Sequence, residues 1–307
     1  MPVSGTQPQT DITLKGAIDE YCLFVQTEGL ASKTLTAYRG MLSVFATFAD
    51  AHGVKQVALV TLRLVDQFRN QRSKTLKPKS MANEGAMLNR FFAWCAERQM
   101  LDRSPLEGRR FTAPAPVPRS GPTLAQINAV LDASTPSRRP VLAMLAFTGM
   151  RVGECRQLRP QDVDFKNGWV HIVSRRGAET KTRQSRRVPL HRRLRQELAA
   201  VRAGREWYFT AAPSGRYPDG QHHINDRDVL ESFQVVLRRL GLPVGQEDGF
   251  VTHSLRHSFK TIAVNAGVPR DVVDAWQGHV PDRRNASNVY YALTDEVSQE
   301  QILKLPF

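Results

Sequence analysis

The sequence predicts a mainly α-helical protein with a small antiparallel β-sheet, arranged as two domains: a helical domain followed by an α+β domain. Three observations carry this expectation. Apolar residues recur at helical spacing in four runs between residues 13 and 99. The segment 111–122, FTAPAPVPRSGP, holds four prolines, which cannot continue a helix and favour an extended, semi-rigid linker. Beyond it, Trp169–Ser174 alternates and is β-branched, a strand signal among helical patterns. With 307 residues the chain can bury two ordinary cores.

Residues 1–12 are polar and read as a disordered N-terminus, and 13–110 as the helical domain. In the first helix Leu14, Ile18, Tyr21 and Val25 share a face, and Gly29 offers a stop. The second runs from Ser32 to Ala51, with Leu35, Tyr38, Leu42, Phe45 and Phe48 on one side. A third spans about Leu62 to Arg72, and a fourth about Ser80 to Arg98. After the linker, Thr123-Leu-Ala-Gln126 has capping-box spacing and opens the second domain, 123–293. A single helix is expected through Val141–Leu158, then the strand Trp169–Ser174 pairing with Arg187–Leu190. Further helices are expected at His191–Arg202, Asp226–Leu240, Ser254–Ala266 and Arg270–Gln277. Residues 294–307 form an apolar tail.

Net charge is +14, which points to a polyanionic partner. The charge is uneven: from Arg175 to Arg205, eleven Arg or Lys stand against two Glu. A solvated surface rarely needs that density, and nucleic-acid contact accounts for it. Cys22, Cys95 and Cys155 are far apart with no CxxC pair, so a structural zinc site is not expected and buried reduced thiols are. No run of eighteen apolar residues predicts a membrane span, and residues 1–11 lack the apolar core of a secretion signal. The expected compartment is a DNA-containing cytoplasm, at the nucleoid of a prokaryote.

His253-Ser-Leu-Arg256-His257 is the most informative stretch. Positions i and i+3 share a helix face, so an imidazole and a forked guanidinium can aim at one anionic ligand. Upstream lies Thr148-Gly-Met-Arg151-Val-Gly-Glu154, downstream Gly278-His279, and then Tyr290-Tyr291. This ordered set, Arg, Lys, His-x-x-Arg, His, Tyr, resembles the tyrosine recombinases, or phage integrase family, over nearly the whole chain from about Thr13 to Tyr291.

The resemblance implies a helical core-binding domain, a catalytic domain, and metal-free, cofactor-free cutting and rejoining of double-stranded DNA through a 3′-phosphotyrosine. Arg151 and Arg256 would meet the charge on the non-bridging oxygens. His253 would hydrogen-bond the phosphate or accept the tyrosine proton, and His279 would donate to a non-bridging oxygen. Lys181, a lone lysine in an arginine-rich hairpin, would protonate the leaving 5′-oxygen; its alternative role is simple phosphate contact. Glu154 would orient Arg151, and His257 would be structural. Tyr290 is the expected nucleophile, because aligning Leu293 with the family's aliphatic after YxHV selects it over Tyr291. The chain departs from the family in Ala292, in the long polar Val280–Asn288, and in Trp276-Gln277, read as packing.

The resemblance also implies a homotetramer on DNA, monomeric or weakly dimeric when free, with the tail docking on a neighbouring protomer. Residues 1–12 are too short for an arm-binding domain, which favours a Xer-like enzyme or a compact mobile-element integrase. Two rivals stand beside it. One is a catalytically silent DNA-binding member of the fold, and the other a relaxing enzyme of the type IB topoisomerase kind, which needs no specific site.

Overall fold

The computed structural model describes residues 11–115, 120–180, 182–215, 217–245, 249–279 and 293–307. The chain divides into two compact units, Met1–Val117 and Pro118–Phe307. Among the described residues, no helix is long and apolar enough to cross a membrane.

The first unit is built from α1 (Leu14–Thr27), α2 (Ser32–Ala51), α3 (Leu62–Ser73) and α4 (Pro78–Glu97). Thr13 caps α1 by accepting from the Gly16 N–H at 3.0 Å, and Thr61 caps α3 in the same way. Pro78 opens α4, where its missing N–H costs nothing. Gly29 has φ +74°, the left-handed geometry that ends α1. The apolar faces close on a core of Leu42, Phe45, Phe68, Leu88, Phe91 and Phe92, in which the Phe45 and Phe68 rings meet edge-on at 5.1 Å.

The expected linker is shorter than its prolines suggest. Phe111 belongs to the first unit: Arg69 stacks over its ring at 4.2 Å, and Gly85 leaves it room, since a Cβ there would lie 2.5 Å from the ring. At the other end Ser258 Oγ donates to the Pro122 carbonyl at 2.6 Å, tying that residue into the second unit.

The second unit opens with α5 (Leu124–Ala133). Its capping box is complete: the Thr123 N–H donates to Gln126 Oε1 at 2.8 Å, and the Gln126 N–H donates to Thr123 Oγ1. The single helix expected through Val141–Leu158 is two, α6 (Arg139–Thr148) and α7 (Val152–Arg156). Gly149 breaks it at φ +64°, where a Cβ would lie 2.6 Å from the Phe259 ring and 2.8 Å from Gln277 Nε2. A residue with a side chain would suit neither that backbone nor that space.

Strands β1 (Val163–Asp164), β2 (Trp169–Ile172) and β3 (Arg186–Pro189) form an antiparallel sheet in that order. Trp169 pairs with Pro189 and Ile172 with Arg186. The short β1 was not expected from the sequence. The remaining elements are α8 (Arg192–Leu198), α9 (Asp226–Arg239), α10 (Thr252–Asn265), α11 (Arg270–Gln277) and α12 (Asp295–Ile302); α8 stops four residues before its expected end. Helix α6 is buried from Val141 to Thr148 and forms the centre of the core, with Phe233, Phe259 and Trp276 around it. Cys22, Cys95 and Cys155 are buried free thiols.

Within the single chain the tail packs on its own unit; the expected docking on a neighbour concerns the assembly on DNA. Trp276 Nε1 donates to Ser298 Oγ at 2.7 Å, Arg187 pairs with Asp295, and Ile302 and Leu305 are buried. The Phe307 ring lies 4.5 Å from that of Phe147. The physical reason is that the unit's own core presents aromatic surface at the place where α12 returns. Leu305→Ala should therefore destabilise the free, DNA-less chain by about 2–5 kcal/mol, read from urea unfolding. A tail that functions only on a neighbour would leave monomer stability unchanged.

Candidate active site

The break at Gly149 sets the site. With α6 ended, Arg151 takes an extended backbone (φ −78°, ψ 150°) as the N-cap of α7, so its side chain leaves the line of the preceding helix. Glu154, one turn on, accepts from the Arg151 backbone N–H at 2.8 Å and from Arg151 Nη1 at 2.9 Å. It also accepts two bonds from Arg186, at 3.0 Å and 2.6 Å, and the side chains of both partners are nearly buried. Burial pushes the Glu154 carboxyl up, but the hydrogen bonds and charge of Arg186 and then Arg151 outweigh it and hold it below the ordinary carboxylate range. Glu154 thus orients Arg151, as expected.

Arg256 sits on α10 and is 3% exposed. Its guanidinium meets main-chain oxygens: Nη1 donates to Gly149 at 2.7 Å and Nη2 to Gln277 at 2.6 Å. Gln277 answers, its Nε2 donating to the Arg256 carbonyl at 2.8 Å. Burial, then the nearby charges of Arg151 and Arg186, bring the Arg256 pKa down to about 10, so it stays cationic at neutral pH.

Helix α11 ends at Gly278, φ +65°, packed so closely on Arg186 that a Cβ would lie 2.9 Å from that side chain. Arg186 Nε donates to the Trp276 carbonyl at 2.8 Å. This turn delivers His279 to Arg256, whose Nη2 lies 3.0 Å from His279 Nε2, while His279 Nδ1 faces Asp274 Oδ1 at 2.9 Å. His253 lies exposed in the first turn of α10, its ring edge-on to the half-buried His257 at 5.1 Å.

The structure therefore brings Arg151, Arg256 and His279 together, with His253 one turn from Arg256 on the same helix. Lys181, Tyr290 and Tyr291 lie outside the described residues. Immediately before Lys181, buried Thr180 is pinned by Ser174 Oγ on its N–H and donates its hydroxyl to the Gln184 carbonyl at 2.9 Å. Sequence reasoning missed Arg186, which is hidden among similar arginines, and Gln277, which is a polar clamp on Arg256 rather than packing. It also missed Asp274 and Lys260, for which the sequence carried no signal. Part of the basic run is structural: Arg175 pairs with Asp162, Arg186 with Glu154, Arg187 with Asp295 and Arg193 with Glu197.

Residues 123–296 match the model of the phage integrase family, and residues 18–99 that of its N-terminal SAM-like domain. The chain belongs to the phage integrase family. A tyrosine recombinase XerC from Oceanobacillus iheyensis is 26% identical, over 94% of this chain and 94% of that protein. A lambda integrase dimer bound to a core site shares the fold at 18% identity and a TM-score of 0.70, over 92% of this chain and 100% of that one. A lambda integrase tetramer bound to a Holliday junction has a TM-score of 0.69 at 19% identity, over 89% of this chain and 79% of that one. This phage integrase family member is a tyrosine recombinase, a DNA strand-transfer enzyme that acts through a tyrosine intermediate.

In this recombinase Glu154→Gln should separate structure from charge. A carboxyl held below its ordinary value of 4.5 contributes stability that is full above that value and is lost as pH falls through the lower folded value. Near neutrality the variant should be less stable by about 3–5 kcal/mol. In urea unfolding across pH, that gap to the wild type should narrow below pH 4.5.

Proposed function

We propose that the chain recombines DNA site-specifically, with Tyr290 attacking the scissile phosphorus and Lys181 giving a proton to the departing 5′-oxygen. The tyrosine proton passes to His253, and Arg151, Arg256 and His279 take the negative charge of the non-bridging oxygens. The observation that carries this reading is Arg256. A buried guanidinium bonded to two backbone carbonyls keeps its full charge without a carboxylate of its own, which suits an anion bound beside it. The second DNA end reverses the step, so no external energy source enters. Assembly as a tetramer is proposed from the lambda integrase tetramer whose fold this chain shares. A type IB relaxing role is separated from recombination by behaviour on plasmids lacking the site: relaxation there would favour it.

On a nicked suicide duplex bearing the recombination site, Tyr290→Phe should abolish the covalent protein–DNA adduct while leaving binding intact. Tyr291→Phe should keep the adduct. Loss of the adduct in Tyr291→Phe alone would move the nucleophile by one residue.

Lys181→Arg should bind DNA with near-normal affinity and salt dependence yet cleave slowly, because a guanidinium hardly gives up its proton. A 5′-bridging phosphorothiolate, whose thiolate leaves with little protonation, should restore much of the lost rate for Lys181→Arg but not for Arg256→Ala. Equal rescue of both would assign the acid elsewhere.

A further inference from the structure

Asp274 lies outside the motif by which the sequence resembles its family, yet it organises a cluster beside the site. Its Oδ1 accepts from His279 Nδ1 at 2.9 Å and from the Lys260 ammonium, and Arg270 approaches Oδ2 at 3.8 Å. On the far side of the imidazole, Nε2 meets Arg256 Nη2 at 3.0 Å. A guanidinium can only donate. Nε2 therefore holds its lone pair, and the ring proton sits on Nδ1, donated to Asp274.

The charged groups around this ring come from three elements: Asp274 on α11, Arg256 and Lys260 on α10, and Arg186 on β3, packed against the adjoining Gly278. Cations outnumber the carboxylate. Burial first, then Arg256 and Lys260, hold the His279 pKa below its ordinary value despite the opposing pull of Asp274. In the free chain at neutral pH the ring is neutral, and a neutral ring in this tautomer has no Nε2–H to offer a phosphate oxygen.

A phosphodiester arriving beside Arg256 changes both conditions. It competes for Nη2, releasing the Nε2 lone pair, and it adds negative charge next to the ring, which favours the imidazolium. Asp274 already receives the Nδ1–H of that cation. We propose that Asp274 and Lys260 together set the proton occupancy of His279, so that it is neutral in the free enzyme and takes one proton from solvent onto Nε2 as phosphate enters. The carboxylate fixes the ring and supports the cation, and the ammonium restrains it from charging early. The proton returns to solvent when the phosphate leaves. Asp274 and Lys260 act through His279 and are positioning residues, and the inference rests on the reading of His279 as a phosphate contact.

The test uses the full chain with ¹⁵N-labelled histidine, His279 being assigned through His279→Gln, and inorganic sulfate as the phosphate stand-in because sulfate does not itself titrate near neutrality. His279 should appear as the Nδ1–H tautomer. Asp274→Asn keeps an acceptor but removes the charge, and should lower the proton affinity of His279 by roughly tenfold or more. Lys260→Gln should raise it by a similar factor, and saturating sulfate should raise it in the wild type. Opposite movement in the two variants is the signature that a merely structural role would not produce. The Nε2–H tautomer, either variant titrating as wild type or both moving in one direction, or a wild-type midpoint indifferent to sulfate would overturn the proposal. These readouts need no DNA cleavage, so they fail independently of the Tyr290 adduct test.

Discussion

The Glu154 carboxylate is the interaction on which the site depends. Arg151, Arg186 and Arg256 crowd one partly buried region, and like charges at short range repel strongly where water is scarce. Glu154 offsets two of them at once, through the Arg151 backbone and side chain and through a two-pronged contact with Arg186. Arg256 is treated differently. It is held by neutral carbonyls from Gly149 and Gln277, which fix its position without cancelling its charge. Arg151 and Arg186 are thus fixed by a shared carboxylate, and Arg256 is fixed without one.

Arg186 links this electrostatic centre to the sheet and to α11. One guanidinium joins β3, the start of α7 and the last turn of α11, through Glu154 and the Trp276 carbonyl. Strand β3, which opens at Arg186, is therefore tied to the same carboxylate that holds Arg151. Trp276 in turn hands the constraint to α12 through Ser298, so the tail is continuous with the packing behind the site.

Much of this was legible in the sequence, for local reasons. The four N-terminal helices, the capping box at Thr123 and the β2–β3 pair follow from periodicity and capping within short windows, and the motif HSLRH places Arg256 and His253 on one helix. What was not legible depends on residues distant in sequence. Gly149 reads as a tolerable interruption of an apolar run until Phe259 and Gln277 are seen against it. Gln277 looks like a packing residue until Arg256 is found bonding its carbonyl. Asp274 is an ordinary surface acid until the left-handed turn at Gly278 swings His279 back over it. The tail's apolar residues were visible, but the ring that Phe307 meets, Phe147, lies far away in sequence.

The ion pairs along the basic run also bear on how the protein senses salt. DNA affinity falls with ionic strength because each protein cation that meets a phosphate releases condensed counterions. A guanidinium already matched to a carboxylate contributes little to that release. Arg175, Arg186, Arg187 and Arg193 are matched in this way, so the run that dominates the chain's net charge is, as a polyelectrolyte, weaker than its composition implies. Arg175, Arg186 and Arg187 tie this stretch to distant acids and Arg193 braces α8, so these four arginines serve the fold as well as the charge.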